Sequence, residues 1–306
     1  MGVGIVSQMV GVVEGAFGRP STVEEPARSL GIGVTSSALA ELYARFGLRP
    51  AFVSATGAQV WRSRSPHMAE AREVALLEGL GLVEVWDLRS PAEREAVGCF
   101  PLASRSGLGM HEASEHLYPP AHHGPMTRDD VPGVPGAAGD VLAGQLKHER
   151  QGRRQPGERM CEVYQGLGEH AEALAPTIGA LVGAAGPTLV YCTSGKDRTG
   201  VVCYCAQRAL GASHDEALAS YLETNKANAR VNADDLLALG ERGVPPWRLE
   251  VALSLFLAKE EYLEVFLGIV RERYGSLEAY LERCLRGVGP ANGCERARLR
   301  VRTPRS

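Results

Sequence analysis

Long apolar runs are missing from this sequence, and so is any marked excess of one charge. No apolar stretch approaches the ~20 residues that a membrane-spanning helix needs, so no transmembrane segment is expected. Lys and Arg number 33 against 36 Asp and Glu, for a net charge of -3. That balance gives no electrostatic reason to expect nucleic acid as a partner. A disulfide framework is equally unsupported: the cysteines number seven, an odd count spread widely along the chain. Free thiols suit a reducing compartment, and the expected location is cytoplasmic. The first twenty residues are apolar and Gly-rich but lack the positive flank of a secretory signal. Met1-Gly2 opens like a myristoylation site, yet Val6 stands where that motif has Ser or Thr. The His, Cys and acid spacings form no convincing metal set, and no metal or organic cofactor is expected.

What is present is an ordinary globular composition. In 306 residues, 44% are hydrophobic and 23% charged, enough to bury a core without staples. Residues 1–58 carry no steady period beyond a short helix near Ser37–Phe46, where Leu39, Leu42 and Tyr43 share a face. Ser65-Pro66 reads as a cap with proline at the first helical position, opening a helix to about Leu80. Residues 82–88 read as a strand. Ser90-Pro91-Ala92-Glu93 is a capping box starting another helix. Residues 103–158 form one long irregular stretch rich in Gly, Pro and His, as in lids or insertions. Helical spacing then runs from Arg159 through Leu181, and Thr188-Leu189-Val190-Tyr191 is a short buried strand. Helices are expected from Arg198 to Leu210, from the capping box at Ser213 to Glu216, from Trp247 to Tyr274 and after Ser276. Alternating strands and helices imply an α/β layer architecture. The expected organisation is a divergent segment 1–58, a domain 59–289 with 103–158 as its lid, and a basic tail 290–306.

The chemistry sits between strand and helix, in Cys192-Thr193-Ser194-Gly195-Lys196-Asp197-Arg198-Thr199-Gly200. Backbone N–H groups of a tight loop, converging with a helix N-terminus, make a cradle for a dianion. Gly195 lets the chain turn without a Cβ clash. Arg198 can grip two phosphate oxygens with a planar fork that Lys cannot reproduce. The same positive field favours the thiolate of Cys192, a nucleophile aimed at bound phosphorus. The bare Cys-x5-Arg spacing is weak, for it recurs at Cys99–Arg105 and Cys294–Arg300. Only Cys192 has strand, Gly-containing loop and helix in order.

This loop resembles that of the protein tyrosine phosphatase superfamily, above all the bacterial tyrosine and dual-specificity, lipid-phosphatase-like branch with a His-Cys-x-x-Gly-Lys-Asp-Arg-Thr-Gly loop. Trp61-Arg62-Ser63, Asp87-Leu88-Arg89-Ser90 with Glu93, and Tyr221-Leu222-Glu223-Thr224-Asn225 look like further segments of that branch. So do Glu261-Tyr262-Leu263 and Tyr274 to Leu281, so that the likeness covers roughly 60–285. The resemblance implies a protein tyrosine phosphatase-like fold: a mostly parallel sheet flanked by helices, with a lid-like insertion. It also implies a cofactor-free two-step reaction on a phosphorylated protein, lipid or small molecule. Cys192 would form a phosphocysteine. Arg198 and the loop from Thr193 through Ser194, Gly195 and Lys196 would hold the phosphate oxygens, and Thr199 would bond the sulfur.

The sequence departs from that pattern in three places. Tyr191 replaces the usual His before the nucleophile, which changes the thiol's surroundings without removing activity. Phe100-Pro101-Leu102-Ala103 stands where the branch often has an acid-bearing turn. The general acid is therefore expected elsewhere: Asp197 first, since an Asp before the Arg also occurs in myotubularin-like and Sac-like phosphatases, with Asp129 and Asp130 behind it. Asp197 could equally be an ion-pair partner that orients Arg198. The 103–158 stretch carries His111, His116, His122 and His123, which could bind substrate or lie at the surface. Lys196 either adds charge beside the phosphate or sits on an exposed loop tip. Asp87 and Arg89 read as a buried structural pair, and Cys203 and Cys205 as core thiols able to form a disulfide with Cys192 on oxidation. The alternatives to a general phosphomonoesterase are a small-molecule phosphatase of a biosynthetic pathway and a catalytically weak phosphate-binding module.

Overall fold

The computed structural model describes residues 35–112, 157–241 and 253–286. Five described strands, β1 (Arg49–Val53), β2 (Gln59–Arg64), β3 (Glu84–Asp87), β4 (Gly109–Glu112) and β5 (Thr188–Cys192), form one sheet in the order β1-β2-β5-β3-β4. Only the β1–β2 pair is antiparallel; β2–β5, β5–β3 and β3–β4 are parallel. The principal helices among the described residues are α1 (Ser36–Phe46), α2 (Ala71–Gly79), α3 (Pro91–Val97), α4 (Glu158–Glu169), α5 (Ala171–Val182), α6 (Asp197–Ala209), α7 (His214–Glu241), α8 (Glu260–Tyr274) and α9 (Leu277–Cys284). The architecture is α/β, as expected.

Why β5 is central can be read from its residues. All five are buried, as a parallel strand covered on both faces must be. Leu189 and Tyr191 point into one core with Leu42, Trp61, Leu77 and Val85. Val190 and Cys192 point into the other, with Tyr164, Ile178, Val201 and Phe266. Each fully buried aliphatic side chain contributes about 1.5–3 kcal/mol relative to exposure, so both faces fix the register. The strand then ends at Cys192, on the carboxyl edge of the parallel strands where open α/β sheets place their ligands.

Local signals hold where capping chemistry is complete. Thr35 caps α1 and Gly47 closes it at φ 59. Ser90 and Glu93 form the reciprocal box of α3 with Pro91 at its start. Ser213 and Glu216 do the same for α7, and Ser276 caps α9.

Other boundaries move. The helix expected from Pro66 begins at Ala71, boxed by Glu70 and Glu73. The Ser65 N–H is spent on the carbonyl of Thr193, 3.0 Å away, so this stretch follows the sheet instead of coiling. The continuous helix expected after Arg159 is two helices broken at His170. Instead of one helix from Trp247, α8 starts after Lys259, whose backbone is extended. The irregular stretch also begins later than expected, because Gly109–Glu112 pairs with β3. Nothing β-branched in Gly-Met-His-Glu announces that strand. Residues 36–53, set apart in the sequence reading, supply α1 and the edge strand β1.

Candidate active site

The loop from Thr193 to Lys196 is held by its carbonyls. Thr193 O accepts from the Ser65 N–H at 3.0 Å, Ser194 O from Asn228 Nδ2 at 2.8 Å, and Gly195 O from Arg62 Nη2 at 2.9 Å. In a planar trans peptide the next N–H points the opposite way. The amides of Ser194, Gly195 and Lys196 are therefore turned inward, and none donates to a protein acceptor among the described residues. They converge with the N-terminus of α6, whose dipole favours an anion. Gly195 is required: φ is +62°, and a Cβ there would lie 2.3 Å from Ser63 O. Cys192, 2% exposed, precedes this cradle.

Arg198 is positioned by α3. Its Nη1 donates to Glu93 Oε2 and its Nη2 to Glu93 Oε1, both at 2.8 Å. Nη1 also reaches Leu88 O at 2.6 Å. The Thr193 hydroxyl donates to the same carboxylate. Burial alone would raise the Glu93 pKa, but the charge and hydrogen bonds of Arg198, Thr193 and Ser90 pull it down to about 2. Asp197, half-suspected as the partner orienting Arg198, does not play that part; Glu93 does. Its role was hidden because a Glu at the third position of a capping box is already explained by the cap.

Asp197 opens α6 and instead accepts a hydrogen bond at Oδ1 from Tyr164 Oη, 2.9 Å away. Tyr164 shares a second bond, of 2.7 Å, with Tyr221. Burial first, then the charge of Asp197 and the contact with Tyr221, push the Tyr164 hydroxyl well above the ordinary tyrosine range, so it remains a donor. Lys196 is not at an exposed tip. It is 2% exposed; its ammonium donates to Leu255 O and lies 3.4 Å from Asp197 Oδ1. Thr199 is buried beside the cradle and its Oγ1 has no hydrogen-bond partner, so the bond to sulfur expected of it is not formed.

Around the loop, Asp87 and Arg89 form the expected buried pair, at 2.6 Å. Tyr191 joins it by donating to Asp87 Oδ2 at 2.8 Å. The residue before Cys192 thus ties β5 to β3 on the opposite face of the sheet. Phe100 and Leu102 are buried in that face, with Phe100 stacked on Tyr191; this turn is packing. His111 stacks on Trp86, ring centroids 4.2 Å apart. His116, His122, His123, Asp129, Asp130 and Cys294 lie outside the described residues. Cys99 is exposed, and Cys203 and Cys205 are buried in the core without disulfides.

Four further residues escaped the sequence reading in part or whole. Arg62, inside one segment whose resemblance was visible, and Asn228, just after another, latch the loop, a task the resemblance did not show. Thr224 on α7 bonds both Arg62 and Arg49. Arg64, opposite Cys192 in the β2–β5 register, gave no signal.

Comparison with known proteins agrees with this geometry. The sequence profile of the tyrosine phosphatase family matches residues 56–291. A protein of Cupriavidus necator, whose name assigns it provisionally to the tyrosine-protein phosphatases, is 31% identical over 229 residues, 74% of each chain. A protein of Mycobacterium tuberculosis named as the triple specificity protein phosphatase PtpB is 29% identical over 109 residues, 33% of this chain and 40% of that one.

Proposed function

Since the chain belongs to the tyrosine phosphatase family, we propose that it hydrolyses phosphomonoesters through a phosphocysteine on Cys192. The observation that carries this reading is the cradle itself: inward amides of Ser194 to Lys196 at a helix N-terminus, directly after a buried cysteine, with a clamped Arg198. The thiolate sulfur attacks phosphorus, the P–O bond to the leaving group breaks, and Asp197 gives its proton to the departing oxygen. Water then attacks the phosphocysteine and gives a proton back to Asp197, the S–P bond breaks to restore the thiolate, and inorganic phosphate leaves. Arg198 and the loop amides hold the equatorial oxygens through both steps, the dominant electrostatic contribution in such reactions. The Thr199 hydroxyl, buried and without a partner, is suited to donate to the sulfur as it becomes a leaving group.

The substrate is a phosphorylated protein, lipid or small molecule. The triple specificity named for the mycobacterial relative favours a site open to more than one class of phosphomonoester. The domain spans 59–289 in this reading, and a cytoplasmic setting fits the six free cysteines among the described residues. No described helix is long and apolar enough to cross a membrane.

Phosphate release from an aryl phosphate tests the reading. Wild type should turn over, and Cys192→Ser should lose activity while still binding vanadate or phosphate. Turnover by Cys192→Ser at the wild-type rate would sink the cysteine mechanism. No turnover by wild type, with phosphate still bound, would make the loop a binding module.

A further inference from the structure

Beside the cradle lies a group of buried nitrogen atoms that the phosphate site does not use. Arg64, the last residue of β2, stands opposite Cys192 in the parallel register. Neighbouring strands are ~4.8 Å apart, and paired residues share a face of the sheet. Arg64 makes no ion pair or side-chain hydrogen bond among the described residues, and its Nη1 is buried without a partner. Asp235 and Arg45 act on it only through their fields, in opposite senses, and the charge of Cys192 favours its cationic form. Three residues on, His67 accepts or donates at Nδ1 to Ser65 Oγ at 3.0 Å while its Nε2 is buried and unpartnered. Burial, then the charges of Arg89 and Arg64, hold the His67 pKa down at about 4, so both guanidiniums are within electrostatic reach of the ring. Arg89, wholly buried, also leaves its Nη1 unpartnered although its other nitrogens serve Asp87.

Each unsatisfied buried donor costs about 1–3 kcal/mol, and native proteins hold few of them. Three such nitrogens, on side chains within electrostatic reach of one another at the carboxyl edge of the sheet, call for an anionic acceptor. We propose that Arg64 and His67, backed by Arg89, form a second anion subsite next to the catalytic phosphate, selecting small phosphomonoesters that carry another phosphate on a neighbouring carbon. The one-strand separation from Cys192 favours two phosphates on a single polyol over acidic residues along a peptide. The inference rests on the reading of Cys192 and Arg198 as the first phosphate site. A free bisphosphate and a lipid headgroup present the same chemistry.

Binding is measured first, on Cys192→Ser, so that no turnover is needed. Calorimetric titrations would compare an inositol bisphosphate with neighbouring phosphates against an inositol monophosphate. The bisphosphate should bind about tenfold more tightly, and adding Arg64→Met should erase that preference, as truncating one partner of a buried charged contact does. No preference before the Arg64 change, or equal loss for both ligands after it, overturns the subsite. A phosphopeptide with an acidic neighbour that outbinds the bisphosphate and loses its advantage in Arg64→Met overturns the small-molecule assignment. His67→Ala should reduce the same preference to a lesser degree, which keeps the test decisive should Arg64→Met fold poorly. Vesicles containing a bisphosphorylated lipid, set against the free headgroup, distinguish the two sources: the subsite stands if either shows the Arg64-dependent preference and falls if neither does. Failure of wild type to hydrolyse aryl phosphate, with the binding preference intact, would end the hydrolase reading and leave the subsite standing.

Discussion

Arg198 and Glu93 meet fork to fork across 105 residues of sequence, with both nitrogen–oxygen distances at 2.8 Å and both groups buried. The pair joins the loop after Cys192 to α3 and fixes the guanidinium plane. Glu93→Gln keeps the shape but removes the charge. It should lower kcat/KM for an aryl phosphate about 100-fold through lost positioning and lower unfolding stability by about 3 kcal/mol through loss of the buried charge pair. Steady-state kinetics with chemical denaturation check both. Wild-type kcat/KM in this variant would show that Arg198 needs no such brace.

The same carboxylate makes stability depend on pH. Its folded pKa is about 2 against an ordinary 4.5, lowered by Arg198 and the hydrogen bonds despite the opposing effect of burial. Because the folded value is the depressed one, the stabilisation is complete above about pH 4.5 and is lost as pH falls toward 2. The linkage amounts to roughly 3 kcal/mol. Denaturation midpoints should fall over this window in wild type and fall less steeply in Glu93→Gln. Parallel slopes would assign acid sensitivity to other carboxylates.

Legibility followed chemistry that is local in sequence. The β5–loop–α6 unit, the caps at Ser90, Ser213 and Ser276, and the Asp87–Arg89 pair could be read because their partners lie within a few residues or in one motif. What escaped depends on distant chain. Glu93 has two tasks, and only the cap leaves a sequence pattern. Lys196 is buried by carbonyls some sixty residues away, which composition cannot anticipate. The start of α2 was misplaced because Ser65 has a sheet partner, Thr193, that competes with helix capping. Asp197 reads equally as a general acid and as a partner of Arg198, its neighbour in sequence, whereas the side chain that bonds it, Tyr164, arrives from α4.

Gly195 is the backbone position least able to change. A Cβ would meet the Ser63 carbonyl, with its oxygen at 2.3 Å and its carbon at 2.5 Å, and backbone cannot swing aside. Gly57 has φ +90 but nothing within 4 Å of a Cβ. Gly57→Ala should therefore cost about 1 kcal/mol, the conformational penalty alone. Gly195→Ala should exceed this by about 2 kcal/mol or more, as overpacking does, and should abolish phosphate binding. Thermal unfolding with and without phosphate measures both quantities. Equal costs at the two positions would mean that the loop can move away from β2.

Tyr164 holds the Asp197 carboxyl group in place. With one hydrogen to give, Tyr164 donates to Asp197 at 2.9 Å and takes its own bond from Tyr221 at 2.7 Å. The Tyr164 pKa, raised first by burial and then by the charge of Asp197, keeps the hydroxyl protonated and able to donate. Tyr164→Phe removes that donor, so Asp197 should lose its fixed aim at the leaving oxygen. An alkyl phosphate, whose leaving oxygen must receive a proton, should then react more slowly. An activated aryl phosphate, which departs without help, should show little change in rate. Asp197→Asn should depress the alkyl rate about 100-fold, within the range of general acid catalysis, and make it insensitive to Tyr164→Phe. If the ratio of alkyl to aryl rates is the same in Tyr164→Phe as in wild type, the tyrosine only packs against α6, and the proton comes from a different acid.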